Sequence, residues 1–136
     1  MSKSAAAQSI LIDVGPGELI DKITILAIKS ERMSDDTKLK NVRHELSVLE
    51  AARAAHIPAS AELTRLEAAL KAVNEDLWVI EDDIRQCEAD KDFGQTFIDL
   101  ARSVYIQNDK RAALKKDINL LTGSTIIEEK SYTEFK

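Results

Sequence analysis

The chain is poor in the residues that interrupt or staple a fold. Its 136 residues include one cysteine, two prolines and four glycines, and aromatics make up only 4%. A single thiol forms no internal disulfide and does not suit a cysteine metal site. With so few turn-formers and aromatics, a β-sandwich is excluded and a helical protein is expected. Positive charge is also short, with 19 Lys and Arg against 24 Asp and Glu for a net charge of −5. That balance argues against nucleic-acid binding, which favours a basic face. No run of about 18 apolar residues is present, so no membrane span is expected. Met1–Ser9 is small and polar, without the apolar stretch of a signal peptide, and the cytoplasm is the expected location. No cofactor and no metal are expected.

What the chain does have is helical periodicity. Leu63, Leu66, Leu70, Val73, Leu77, Ile80, Ile84 and Cys87 follow at three-then-four spacing, the seam of a long amphipathic helix. Phe97, Leu100, Val104, Gln107, Arg111, Leu114, Ile118 and Leu121 repeat the pattern. Folding back at Ala89–Asp92 pairs Leu63 with Leu121, Leu70 with Leu114, Ile80 with Val104 and Cys87 with Phe97. This is the register of an antiparallel, coiled-coil-like hairpin.

Two shorter helices are expected before it. The first runs over Gly17–Met33, with Pro16 in its opening turn and Asp13 or Gly15 available for the cap. Its main apolar arc is Leu19, Ile20, Ile23, Leu26 and Ala27, while Ile25 and Ile28 lie toward the opposite side. Such a helix is buried on two sides, either centrally or at a subunit interface. The second spans Thr37 to about Ala55, after Ser34-Asp35-Asp36 and before Pro58, which disfavours helix at the residue preceding it. The third opens after Ser60 and runs about 40 Å at ~1.5 Å per residue. The fourth runs from about Phe93 to Leu121, and Gly123 supplies its stop. Ile10–Val14 and Thr125–Ile127 could form a minor two-stranded pairing of the ends. Residues 1–9 read as a flexible tail and 10–136 as a single all-α domain. The two-sided first helix and the long seams lead us to expect a homodimer.

Several stretches resemble a small bacterial family known as domain of unknown function 6165. They are Gly17-Glu18-Leu19-Ile20-Asp21-Lys22-Ile23-Thr24-Ile25-Leu26, Leu77-Trp78-Val79-Ile80-Glu81-Asp82-Asp83-Ile84-Arg85, Asn108-Asp109-Lys110-Arg111-Ala112 with Lys115 and Asn119, and Gly123-Ser124 with Glu128-Glu129-Lys130-Ser131-Tyr132. The resemblance covers nearly the whole chain after the tail. It implies a small cytoplasmic helical protein with a loose link to cell-surface glycan assembly. It implies no activity and no catalytic residues.

The candidate site is the polar break in the fourth helix. Gln107, Asn108, Arg111 and Lys115 share one side at helical spacing. In the hairpin register Arg111 opposes Val73 and Asn108 lies near Asp76, so Asn74, Glu75 and Asp76 are the expected partners. A buried guanidinium must be paired, because an isolated buried charge is very costly. The break reads as a polar device that fixes register, as an anion pocket, or as simple exposure at the bundle edge. In the pocket reading, Arg111 and Lys115 with Lys22 or Lys29 face a phosphate or carboxylate. Tyr132 and Lys130 would join if the C-terminal segment closes over a cleft there. The acidic stretch Glu75–Asp92 reads as a solvated face, because Arg85 lies between Glu81 and Glu88. No nucleophile–base arrangement is evident. The expected function is a non-catalytic helical binding or accessory protein. The alternative is a small enzyme or ligand-binding domain for a nucleotide, nucleotide sugar or dicarboxylate. A protein partner or an anionic small molecule is expected with either.

Overall fold

The computed structural model describes residues 8–135. Most of the expected tail therefore lies outside the described residues. Four helices form among the described residues: α1 (Pro16–Arg32), α2 (Asp36–His56), α3 (Ala61–Asp90) and α4 (Gln95–Thr122). No strand forms among the described residues, so the fold is all-α.

Local chemistry sets the helix ends. Asp35 caps α2 by accepting from the Lys38 N–H at 2.9 Å, and Ser60 caps α3 by accepting from the Leu63 N–H at 3.0 Å. α3 ends on Lys91 in a left-handed conformation, φ 55°, and α4 ends on Gly123 at φ 70°. Both close the helix by bonding back to its last carbonyls, the usual left-handed stop. Phe93 packs edge-on against Phe97 at 5.4 Å just past the hairpin turn.

The helices stack in three layers. α3 and α4 form the antiparallel hairpin, α1 lies on it and touches both, and α2 packs on α1. This resolves the two-sided first helix: α1 is the central layer, with Ile20, Ile23, Leu26 and Ile28 all buried. Ile20 and Ile23 join Leu63, Leu66, Leu70 and Ile118 in the main core. Each fully buried aliphatic side chain there contributes roughly 1.5–3 kcal/mol. Ion pairs tie the layers at their edges. Arg53 of α2 grips Glu67 of α3 with two hydrogen bonds, one of them 2.9 Å. Lys71 of α3 reaches Glu31 of α1 at 2.8 Å. Arg32, the last residue of α1, lies 3.9 Å from Glu75, and α3 continues to Asp90 beyond it.

Two expectations are corrected. Ile10–Val14 and Thr125–Ile127 do not pair as strands. Ile10, Leu11 and Ile12 are largely exposed, and the Ser124 hydroxyl turns the chain on itself by bonding to both the carbonyl and the N–H of Ile126. Short extended segments without a shared ladder gain too little to form a sheet. The hairpin's last pairing is also open at one side. Leu63 is buried in the core cluster, whereas Leu121 is 44% exposed and the buried stripe of α4 ends at Ile118 and Asn119.

Candidate functional site

α1 meets α4 through a glycine. A Cβ on Gly17 would lie 2.3 Å from the Lys115 carbonyl oxygen, so the two backbones are in contact there. The N-cap of α1 is Gly15, which has no side chain to offer. Asn119 of α4 does the capping instead, its Oδ1 accepting from the Gly17 N–H at 2.8 Å. Of the two residues offered for the cap, Asp13 and Gly15, the structure places Gly15 at the N-cap position.

This close approach brings the polar face of α4 against α1. Asp21, 1% exposed, is the centre of the arrangement. Its Oδ1 accepts from Arg111 Nε at 3.0 Å and from Asn74 Nδ2 at 2.9 Å, and its Oδ2 accepts from Arg111 Nη2 at 2.5 Å. The bidentate fork is the geometry in which guanidinium and carboxylate bind most strongly. Asn74 Nδ2 also donates to Thr24 Oγ1 at 2.9 Å, and that hydroxyl donates to the Asp21 carbonyl at 2.8 Å. Lys115 lies one turn on. Its Nζ donates to Glu18 at 2.8 Å and to Glu128 at 3.2 Å, and it sits 4.0 Å from Asp21.

The electrostatics follow from these partners. The hydrogen bonds to Asp21 outweigh partial burial and raise the Arg111 pKa. Burial alone would pull Lys115 down. Its hydrogen bonds to Glu18 and Glu128 outweigh that pull and hold it above the ordinary lysine value. Glu128 is held below the usual 4.5 by its hydrogen bond from Lys115, then by the charges of Lys115 and Lys130. A carboxylate with a lowered folded-state pKa stabilises above its unfolded value and loses that contribution as pH falls through the lowered one. We therefore expect the segment carrying Glu128 to loosen under acid, below 4.5. Following the amide resonances of Ile126–Tyr132 from about pH 6 to pH 3 tests this. Peaks that stay fixed while the rest of the protein remains folded would show that the pair does not hold the segment.

The C-terminal segment runs back along α4 and walls a groove of about 930 Å³. Asn108, Arg111, Lys115 and Tyr132 all line it, with Glu18, Glu128 and Lys130. Phe135 stacks edge-on against Tyr105 at 5.1 Å near its end. Four of the six sequence candidates thus come together. Lys22 and Asp76 do not. Lys22 is exposed and lies 4.0 Å from Glu18, one turn back on its own helix. Asp76 is exposed on α3, with no ion pair among the described residues. The hairpin register pointed to α3 for Arg111's acidic partner. The partner is Asp21 on α1, because the central helix and not α3 covers that side of α4. Asn74, expected as a direct partner of Arg111, donates instead to Asp21, the carboxylate that Arg111 binds. Asp21 also left a signal in the sequence, as a carboxylate set between Ile20 and Ile23 on a helix apolar on both sides.

The other candidates stay local. Glu81 and Arg85 form an exposed i,i+4 pair at 3.8 Å, and Glu88 pairs with Lys91 at 3.4 Å. Among the described residues no three acidic, histidine or cysteine side chains gather to hold a metal ion. Cys87 is buried on the seam, and burial, with the carboxylates Asp92, Asp90 and Asp83, pushes its thiol pKa up. Gln107 Oε1 is buried with no partner among the described residues. No helix among them is long and apolar enough to cross a membrane.

The comparison with known families covers the same region that builds this site. Residues 10–135, from before α1 through the segment that walls the groove, match a family described as Family of unknown function (DUF6165). The chain belongs to that family. No curated protein and no solved structure matches it. For this DUF6165 chain the functional reading therefore rests on the geometry of the groove.

Proposed function

We propose that this protein is a non-catalytic binding or accessory protein whose groove along α4 takes an anionic small molecule. The observation that carries the reading is the convergence of Arg111, Lys115, Lys130, Asn108 and Tyr132 on one groove of about 930 Å³, a volume typical of small-molecule sites. Arg111 spends Nε and Nη2 on Asp21, and Nη1 has no hydrogen bond among the described residues. The raised pKa values of Arg111 and Lys115 keep both charged at neutral pH. Groups that hold a charge so firmly suit binding better than proton transfer, for which a pKa near the working pH is best. A cytoplasmic bacterial accessory role in cell-surface glycan assembly would make a nucleotide sugar one ligand to try.

The test is titration of isotope-labelled protein with succinate, ATP and UDP-glucose, followed by amide shifts. Saturable shifts confined to residues 104–115 and 128–135, lost in a folded Lys115→Met variant, are expected for at least one compound. Absence of such shifts with all three, and with a monocarboxylate such as hexanoate, would overturn the reading. Incubation with the same nucleotides should give no turnover.

We also propose a homodimer formed through the part of the hairpin that extends beyond α1. The support is apolar exposure at Val79, Ile98 and Ile106 on helices whose seam is only half-buried there. Sedimentation should give a dimer for wild type and a monomer for Val79→Asp/Ile98→Asp. A monomeric wild type would sink this proposal.

A further inference from the structure

The groove has a smaller neighbour. A second cavity of about 460 Å³ lies between the start of α1, α4 and the C-terminal segment. Its walls are mainly apolar, with Val14, Ala112, Ala113, Ile126 and Ile127 among them. Glu18, Ala112, Lys115, Glu128 and Lys130 line both spaces. The Lys115–Glu128 ion pair at 3.2 Å is therefore a partition between them.

Glu128 is the replaceable member of that partition. Glu18 and Asp21 belong to the central helix. Glu128 lies on a non-helical segment, and its side chain is 54% exposed. Its two oxygens face two lysines, Oε1 toward Lys115 at 3.2 Å and Oε2 toward Lys130 at 3.4 Å. The site is thus already built around one carboxylate. A rotation of that side chain into water would vacate the position and join the two cavities, without moving Lys115.

Charge counting narrows what can take its place. Arg111, Lys115 and Lys130 balance Asp21, Glu18 and Glu128 in the immediate network. Without Glu128 one positive charge is left over, which a single carboxylate neutralises. A phosphate group carries about −1.5 to −2 at neutral pH and overfills the site. Asp109 and Glu134 on the groove wall oppose any added anion, and one carrying more than a single charge most. The apolar walls of the smaller cavity give the rest of such a ligand a place to be buried.

Resting on the binding reading above, we infer that the ligand is a monocarboxylate with an apolar group. Its carboxylate replaces Glu128 on Lys115, and its apolar part enters the cavity beside Val14, Ile126 and Ile127. Glu128 is then an internal competitor that sets the affinity.

The probes are hexanoate and inorganic phosphate, titrated into methyl- and amide-labelled full-length protein. Hexanoate should move the methyl signals of Val14, Ile126 and Ile127, and Glu128→Gln should bind it about 3-fold more tightly, as expected for loss of one exposed ion pair. Binding of hexanoate by the variant alone would also support the inference, with Glu128 blocking the wild type. If wild type binds hexanoate and Glu128→Gln binds it equally or less well, the competitor role fails while the groove reading stands. If phosphate binds and hexanoate does not, the ligand class is wrong and an anion site remains. If neither probe binds either protein, the inference fails, and the groove reading then stands or falls with succinate, ATP and UDP-glucose. Glu128→Gln replaces a half-exposed side chain outside the helices, so loss of folding does not confuse these outcomes.

Discussion

Arg111→Met is expected to be among the most destabilising single substitutions in this protein. It leaves Asp21, 1% exposed, without its guanidinium. Removing one partner of a buried ion pair costs about 3–5 kcal/mol, because the charge left behind cannot regain its water. At roughly 3 °C per kcal/mol for a chain of this size, that is a fall in Tm of about 10–15 °C. Asp21→Leu should cost less, since the Arg111 side chain is 31% exposed and can turn to solvent. The double variant Asp21→Leu/Arg111→Met should recover much of the loss, because two apolar side chains leave no stranded charge. Thermal melts of the four proteins form a double-mutant cycle. A Tm for Arg111→Met within about 2 °C of wild type would show that the pair does not hold α1 to α4.

Gly17→Ala should rival it. The added Cβ would lie 2.3 Å from the Lys115 carbonyl oxygen and 3.0 Å from Asn119 Oδ1. The first of these is backbone within a helix and cannot swing away. Overpacking of this kind costs about 1–3 kcal/mol and more where the backbone must move, and we expect the upper end or beyond. The shift would also carry Glu18 and Asp21 away from Lys115 and Arg111, so ligand binding should weaken together with stability. Asn119→Ala is the milder companion. It removes the cap on α1 without a clash and should cost about 1–2 kcal/mol. Chemical denaturation gives both values, and a Gly17→Ala variant no weaker than Asn119→Ala would mean that α1 can lift off α4 at little cost.

The two substitutions mark where sequence reasoning stopped. Arg111 and Lys115 were legible as polar residues on an apolar seam, and Tyr132 as a side chain that a returning segment could bring to them. Asp76, expected as a partner of the break, and Lys22, expected to face the same anion, both fall outside the groove for a common reason. The hairpin register relates α3 to α4, but it says nothing about how α1 lies across them. Asp21 is separated from Arg111 by 90 positions, and no spacing rule connects the two. Glu128 was visible as part of a charged terminus, yet nothing local fixed its lysine partner. Gly17 read as an ordinary residue at a helix start. Only the approach of another backbone explains why a side chain is not tolerated there.

The amino-acid sequence by itself determined the all-α class, the four helices with their ends to within a few residues, and the turn of the hairpin. Each depends on forces acting over one or two turns: apolar spacing, a capping oxygen, a left-handed stop and a proline. Only the tertiary structure decided that α1 is the middle layer, that Asp21 is the counter-ion of Arg111, and that the C-terminal segment walls a groove. The reason is physical. A charged side chain is defined by what excludes water from it, and here that is done by elements far away in the chain.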